Sequence, residues 1–151
     1  MCSSDLAKDL ILAGADIVAF DGTSRPRGEN NLKQIIKFIK INKKIAMADI
    51  ATLQEGINAR LLGADIVSTT LSGYTVESPE TSEEPDFELL KGLVQSVDCP
   101  VILEGRIWTP QQVDKAFELG AHAVVIGSAI TRPQLITKRF VNRKDKIAKN
   151  G

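Results

Sequence analysis

Apolar residues fall into two kinds of segment that alternate along the chain. Short, continuous apolar runs begin near residues 16, 45, 66, 101 and 123, and segments with apolar residues at helical spacing lie between them. Continuous apolar runs are typical of parallel strands that are covered on both faces of the sheet. The pattern therefore predicts five parallel β-strands that alternate with helices, because each parallel connection requires a crossover.

One short sequence occurs three times and predicts where a helix ends and a strand begins. Residues 12–18 read LAGADIV, residues 62–67 read LGADIV, and residues 119–125 read LGAHAVV. A glycine just past a helix supplies the left-handed backbone conformation that terminates it. Each copy therefore predicts a helix end, a glycine cap and a buried strand.

Two further signals predict where helices begin. Thr52 is followed three residues later by Glu55, and Thr109 by Gln112, which is the capping-box pattern of a helix start. Pro133 predicts another start, because the fixed backbone angle of proline suits the first helical position.

The length of the chain leaves two architectures open. A closed (β/α)8 barrel takes about 250 residues, or about 31 for each unit, so five units need about 155. The chain has 151 residues, and we treat residues 1–151 as one domain. It is therefore either a small open α/β sheet or an incomplete (β/α)8 TIM barrel of about five parallel βα units.

Polar residues and glycines stand at the end of every predicted strand. The residues at these exits are Asp21, Asp49, Thr69, Thr70, Glu104, Gly127 and Ser128. Ligands of parallel sheets and barrels bind at the carboxyl ends of the strands, so a binding site is expected at this rim. The residues at the strand entrances, Asp16, Asp65 and His122, are expected to serve capping and stability.

Two of these exits suggest proton transfer and phosphate binding. Glu104 directly follows an apolar strand, so its carboxylate is partly desolvated and suits acid–base chemistry. A salt bridge to Arg106 or to another arginine of the rim is the alternative. Gly127 and Ser128 follow the last strand, where small residues let backbone N–H groups approach an anion. Gly105 would supply the neighbouring loop of this phosphate site, and a tight strand-to-helix turn is the alternative.

Three other residues are candidates for contact with a substrate. Asp49 would orient a substrate hydroxyl or pair with a cation of the rim. Arg132 lies beside the start of the last helix, where it would clamp a phosphate or a sugar hydroxyl, or else be solvated. Tyr74 belongs to a loop rich in hydroxyl groups, residues 71–75, that would cover a sugar.

Composition and charge argue against several classes of function. Nineteen Lys and Arg residues balance nineteen Asp and Glu residues, so binding to nucleic acid through bulk charge is not expected. No apolar run approaches the roughly 20 residues that span a bilayer, and the start of the chain lacks the order of a signal peptide. Cys2 and Cys99 form no disulfide framework, which favours a reducing, cytoplasmic compartment. With one histidine and no CxxC, no metal site is predicted.

Five segments together resemble the N-acetylmannosamine-6-phosphate 2-epimerase family. They are residues 13–27 (AGADIVAFDGTSRPR), 47–50 (MADI), 69–75 (TTLSGYT), 100–106 (PVILEGR) and 125–133 (VIGSAITRP). The resemblance extends from about residue 8 to residue 141, and TTLSGYT, EGR and GSAITRP in this order are specific to the family.

The resemblance implies a fold, a reaction and roles for residues. Members are (β/α)8 barrels of the ribulose-phosphate-binding type that interconvert the 6-phosphates of N-acetylmannosamine and N-acetylglucosamine by proton transfer at sugar C2, without a cofactor, in sialic acid and amino sugar catabolism. It implies that Glu104 is a catalytic acid/base group. The residues that would contact the sugar are Asp49, Arg132, Tyr74 and Arg106, and those that would bind the phosphate are Gly105, Gly127 and Ser128.

The matched segments correspond to the last five βα units of such a barrel. The family's catalytic lysine is expected on an earlier strand, together with a glutamine and an arginine of the site. Residues 1–6, which match nothing in the family, are interpreted as a non-native start. We therefore expect a fragment that is inactive alone and prone to association through the unpaired edges of its first and last strands.

The full-length form is expected to bind a phosphorylated N-acetylhexosamine, with a homodimer as one expected state, and neither nucleic acid nor a membrane. Two alternatives are a non-catalytic half-barrel that binds phosphosugars and another phosphate-binding barrel isomerase.

Overall fold

The computed structural model describes residues 4–27, 31–78 and 83–148 of the chain. Residues 1–3, which are half of the expected non-native start and include Cys2, and residues 79–82 lie outside the described residues.

Helices and strands alternate through the described residues, as the apolar pattern predicts. In chain order they are α1 Ser4–Leu12, β1 Ile17–Asp21, α2 Leu32–Ile41, β2 Ile45–Asp49, α3 Leu53–Leu61, β3 Ile66–Ser68, α4 Phe87–Ser96, β4 Val101–Glu104, α5 Pro110–Glu118, β5 Ala123–Val125, α6 Ser128–Thr131 and α7 Pro133–Ala148.

The five strands form one parallel sheet in the order β1-β2-β3-β4-β5, so each strand pairs with its neighbours in sequence. The register places Asp21 opposite Asp49, and Asp49 opposite Ser68. Within this sheet β1 and β5 each pair with a single strand. Sequential parallel order with a helix at each crossover is the arrangement of a TIM barrel, and the prediction of five βα units of that fold is confirmed.

Both predicted capping boxes are present. The Thr52 hydroxyl accepts a hydrogen bond from the Glu55 N–H, and the Glu55 carboxylate accepts one from the Thr52 N–H. Thr109 and Gln112 make the same exchange at the start of α5. A third box, between Asn31 and Gln34 at the start of α2, was not predicted. The glycines of the repeated sequence have φ angles of 95°, 104° and 94°, as helix termination requires.

One face of the sheet is buried and the other is half-exposed. Alternate strand residues such as Phe20, Ala46 and Leu103 pack under the helices and are at most 1% exposed. On the opposite face, Ile17 and Val125 are 47% and 39% exposed. The prediction that both faces are covered is therefore wrong, because five strands leave the concave face of an unclosed barrel without the strands that would lie across from it.

Two of the polar residues at the strand entrances form ion pairs, as their expected stabilising role requires. The Asp65 carboxylate accepts a hydrogen bond from the Ala46 N–H at 3.0 Å and one from Lys40 Nζ at 2.5 Å. Asp16 pairs with Lys44 at 3.1 Å. Among the described residues, no helix combines the length and the apolar character that crossing a bilayer requires.

Two helical glycines provide a matched test of helix packing. A Cβ atom at Gly56 of α3 would lie 2.3 Å from Leu93 Cδ2, whereas one at Gly92 of α4 would lie 3.4 Å from the nearest atoms of Leu53. We predict that Gly56→Ala lowers the free energy of unfolding by about 1–3 kcal/mol through overpacking. Gly92→Ala should raise it by about 0.5–1 kcal/mol, since alanine is the better helix former.

Urea unfolding followed by circular dichroism measures both effects. Equal stabilisation by the two substitutions would show that α3 and α4 do not approach each other closely at Gly56.

Candidate functional site

Acidic side chains converge on the half-exposed face at the carboxyl end of the sheet. Asp21, Asp49 and Glu104 are the last residues of β1, β2 and β4. Each occupies an alternate position that points away from the helix-covered core, and each is partly buried. The predicted convergence of polar residues at this rim is therefore present.

The hydroxyl of Thr70, just beyond β3, lies between two of these carboxylates. Thr70 Oγ1 is 2.9 Å from Asp49 Oδ1 and 3.0 Å from Glu104 Oε2. The hydroxyl of Ser68, which is fully buried, lies 2.8 Å from the same Thr70 oxygen. Four oxygen-bearing side chains from three adjacent strands thus meet at one point.

Thr69 fixes the backbone that carries Glu104. Its hydroxyl donates to the carbonyl of Glu104 at 3.0 Å and accepts from the Glu104 N–H at 3.1 Å. β3 ends at Ser68, so the Thr69 side chain continues the pairing with β4 after the strand itself has ended. Glu104 is therefore held by the backbone of β4 as well as by Thr70.

Glu104 opens into a cavity of about 290 Å³ at this rim. The residues that line it are Thr70, Tyr74, Glu104, Gly105, Arg106, Ile107, Trp108, Val125, Gly127 and Ser128. Most of the residues predicted for the site are in this list. Asp49 reaches the cavity through Thr70, whereas Arg132 is exposed and does not line it.

Backbone at two glycines faces open space in this cavity. A Cβ atom at Gly105 or at Gly127 would meet no heavy atom within 4 Å. Within the described residues, no group accepts a hydrogen bond from the N–H of Gly105, Gly127 or Ser128. Gly105 has a φ of 109°, a conformation that other residues rarely adopt. These three donors therefore belong to residues that line the cavity and have no acceptor within the described part of the chain.

The side chain of Arg106 binds the loop that follows β3. Its guanidinium donates to the carbonyl of Ser72 at 2.7 Å and to the carbonyl of Glu84 at 2.8 Å. Arg106 has a φ of 58°, a strained value for a residue with a side chain, and these two hydrogen bonds help to hold it there. Tyr74, in the same loop, is 70% exposed beside the cavity. Arg106 thus shapes the wall of the cavity, and the alternative of a salt bridge to Glu104 is not among its contacts with the described residues.

The two arginines after β1 are engaged by Asp21. Arg25 forms an ion pair with the Asp21 carboxylate, and Arg27 Nη2 lies 2.6 Å from the other oxygen of that carboxylate. Thr23 donates to Asp21 through its N–H and its hydroxyl. The negative charge of Asp21 is therefore compensated locally, whereas the described residues form no ion pair with Asp49 or Glu104.

Burial raises the pKa of the Asp49 carboxyl to about 6, because the ionised form loses hydration in the cleft. The hydrogen bond from Thr70 acts against this shift by stabilising the ionised form, and the negative charge of Glu104 acts with it. Within the described part of the chain, no group of three or more His, Cys, Asp or Glu side chains is arranged to hold a metal ion.

Ser68, Thr69 and Thr70 are residues of this site for which the sequence predicted no specific role. Thr69 and Thr70 were predicted only to lie at a strand exit. The available signal for Thr70 was its position between two strands that each end in a carboxylate, since side chains at neighbouring strand ends come within hydrogen-bonding reach.

We predict that Asp49→Asn becomes more stable relative to the unaltered chain as pH rises. Because the fold raises the pKa of Asp49, the folded chain binds more protons than the unfolded chain between about pH 4 and pH 6. The unaltered chain therefore loses stability across that interval, whereas asparagine does not titrate. The difference in the free energy of unfolding should grow by about 2 kcal/mol, as measured by urea unfolding.

Asp98→Asn is the control, with the opposite sign. A hydrogen bond from Arg60 lowers the pKa of this exposed carboxyl, so its stabilising effect is lost as pH falls. Asp98→Asn should therefore lose stability relative to the unaltered chain as pH rises. A flat difference for Asp49→Asn would contradict the assigned burial of that carboxyl.

The chain is similar to known proteins over nearly its whole length. Residues 4–146 match the profile of a family described as "Putative N-acetylmannosamine-6-phosphate epimerase". The match includes residues 4–6, which were expected to lie outside the family. Proteins named "Putative N-acetylmannosamine-6-phosphate 2-epimerase" from Caldanaerobacter subterraneus subsp. tengcongensis and Clostridioides difficile are 55% and 52% identical to 87% and 88% of the chain.

A solved structure of the N-acetylmannosamine-6-phosphate 2-epimerase from Clostridium perfringens superposes with a TM-score of 0.86 and 50% identity over 90% of the chain. The chain spans 56% and 60% of the length of the two relatives and 59% of the solved structure. On the family match and these identities, the chain belongs to the N-acetylmannosamine-6-phosphate epimerase family.

Proposed function

We propose that the protein of which this chain forms a part interconverts N-acetylmannosamine 6-phosphate and N-acetylglucosamine 6-phosphate by moving a proton at sugar C2. The observation that carries the proposal is one cavity that Glu104 lines together with Gly105 and Gly127, whose backbone N–H groups have no acceptor among the described residues. A phosphorylated sugar presents the matching groups, namely a carbon acid at one end and phosphate oxygens at the other. The relatives' names agree with this substrate.

Glu104 is the proposed acid/base group at the reacting carbon. It lines the cavity, Thr69 binds its backbone, and the Thr70 hydroxyl lies 3.0 Å from its carboxyl oxygen. Proton transfer by a positioned carboxyl group needs a side chain whose orientation is fixed before the substrate arrives. The contacts of Glu104 meet that condition.

The phosphate is proposed to lie against the Gly105, Gly127 and Ser128 backbone. The accessible N–H groups there can donate to phosphate oxygens without displacing any contact between described residues. Glycine at two of the three positions keeps side chains out of the way of a large anion. This supports a phosphate site rather than a tight turn alone.

Asp49, Tyr74, Arg106 and Arg132 are the proposed sugar contacts, with different support. Tyr74 and Arg106 line the cavity, and Asp49 reaches it through Thr70. Arg132 is exposed outside the lining, so contact with the substrate would require its long side chain to swing toward the cavity. Its support is therefore the weakest of the four.

The rest of the catalytic machinery is proposed to lie in the part of the relatives' length that this chain does not span. A C2 epimerisation removes a proton on one face of the carbon and returns one on the other, so a partner for Glu104 is required. We propose a lysine of an earlier strand in that role, and a 151-residue chain that does not turn over alone. We expect the 151-residue chain to bind the phosphosugar without converting it.

We predict that Glu104→Gln reduces epimerisation about 10²–10⁴-fold in a protein extended at its N-terminus to the length of the relatives. The amide keeps the size of the carboxyl group but cannot exchange a proton. The measurement is solvent deuterium incorporation at C2 together with interconversion of the two sugar phosphates. Glu88→Gln, an exposed residue of α4, is the matched control and should leave the rate unchanged.

If the Glu104→Gln protein is as active as the control, Glu104 is not the acid/base group of the reaction. Turnover by the 151-residue chain alone would contradict the proposed division of the site.

A second prediction concerns the phosphate. Gly127→Ala places a methyl group in the open space of the cavity, where it meets no atom of the protein. We expect the affinity of the chain for N-acetylglucosamine 6-phosphate to fall about tenfold, by loss of about 1.4 kcal/mol of binding free energy. Isothermal titration calorimetry measures it, and Gly92→Ala on α4 is the control.

Unphosphorylated N-acetylglucosamine separates the two ends of the substrate. Its weaker binding should not respond to Gly127→Ala. If both sugars lose affinity equally, the methyl group acts on the sugar end, and the phosphate does not lie at Gly127.

A further inference from the structure

We propose that the Thr70 hydroxyl joins Asp49 and Glu104 into one unit that holds a single proton and passes it between the two carboxyl groups. This makes Thr70 a positioning residue for Glu104. Use of the unit in catalysis rests on the proposed function, but the existence of the unit does not.

The geometry around Thr70 Oγ1 sets the number of protons. A hydroxyl has one hydrogen to donate and two lone pairs that accept. Three oxygens surround it within 3.0 Å, from Asp49, Glu104 and Ser68. If both carboxyl groups were ionised, Thr70 could donate to only one of them. The other would place a charged oxygen against a lone pair at hydrogen-bonding distance, which is repulsive.

One added proton satisfies every oxygen in the group. A protonated carboxyl donates to Thr70, Thr70 donates to the second carboxylate, and the buried Ser68 hydroxyl donates to Thr70. Thr70 then accepts twice and donates once, which uses its full capacity. The separations of 2.9 and 3.0 Å suit hydrogen bonds at both carboxyl groups.

The surroundings favour Asp49 as the resting position of the proton. From β1, Asp21 faces Asp49 in the register and is itself paired with Arg25 and Arg27. From β3 and its loop come the neutral hydroxyls of Ser68 and Thr70, and from β4 comes Glu104. The only positive groups on these elements are bound to Asp21, or, for Arg106, to loop carbonyls, as far as the described residues extend. Burial of Asp49 without a cation acts in the same direction.

The transfer itself balances without any other reactant. The O–H bond of the Asp49 carboxyl breaks as its proton moves to Thr70 Oγ1. At the same time the original O–H bond of Thr70 breaks, and the Thr70 proton moves to Glu104 Oε2. Thr70 remains neutral and the charge of the unit stays at −1. The forward movement therefore supplies Glu104 with a proton that it can give to a substrate, which leaves both carboxyl groups ionised until a proton returns. The reverse movement empties Glu104 before it accepts a proton.

The test follows the carboxyl carbon of Asp49 by ¹³C NMR titration in the 151-residue chain. Glu104→Gln should lower the Asp49 titration midpoint from about 6 by about one pH unit, because Thr70 then donates to Asp49 alone. In the Thr70→Val background, the same substitution should move the midpoint less than half as far. Thr70→Ser keeps the hydroxyl and should restore the full shift.

Equal shifts in the Thr70→Val and Thr70→Ser backgrounds would overturn the proposal, since the two carboxyl groups would then interact through space alone. A second measurement needs no substitution at Thr70. In the unaltered chain, the carboxyl carbon of Glu104 should respond to the titration of Asp49, and the absence of that response would also overturn it.

These titrations require no turnover and so stand apart from the proposed reaction. An extended protein without epimerase activity would overturn the proposed function and leave the shared proton intact. An active extended protein in which Thr70→Val retains the rate and pH profile of Thr70→Ser would show that the unit is not used in the reaction.

Discussion

The parallel register of the sheet is the constraint on which the site depends. Because β1, β2 and β3 are aligned so that Asp21, Asp49 and Ser68 lie side by side, strand ends far apart in sequence deliver their side chains to one edge. Asp49 and Glu104 still do not touch each other. β3 lies between their strands, and the first residue past its end that can bridge them is Thr70. A shift of one residue in any of these pairings would turn the side chains toward the core, and Asp49, Thr70 and Glu104 would no longer lie together.

The same register explains why the site lowers the stability of the fold and which contacts offset that loss. Two carboxyl groups at one rim, with little compensating charge among the described residues, oppose folding at neutral pH, by about 3 kcal/mol for Asp49. The opposite face of the sheet packs Phe20, Leu103 and their neighbours under the helices, and burial of each large apolar side chain contributes about 1.5–3 kcal/mol. The covered face therefore stabilises what the open face destabilises.

Local signals predicted much of this arrangement. These signals act over a few residues and can therefore be recognised in the sequence. They are the capping residues Thr52 and Thr109, the glycines that end each helix of the repeat, and the apolar runs. The half-exposed face was not predicted, because a continuous apolar run looks the same whether or not a strand lies across from it. Strand order placed Asp49 and Glu104 at one rim, but Thr70 as their bridge depends on distances of a few tenths of an ångström. Arg106 shows the same limit, since its sequence neighbour Glu104 is not its partner.

The strands described here and the strands that would complete the barrel are proposed to supply different parts of the site. The backbone donors that we propose for phosphate and the acidic pair all lie on β2 to β5 and their loops, so anion binding and proton storage are both proposed for this part of the fold. A group that works on the opposite face of the sugar must approach from across the rim. The concave face is half-exposed on that side, between the unpaired edges of β1 and β5. A base on strands that joined those two edges would therefore face Glu104 across the substrate, which is the geometry that inversion at one carbon requires.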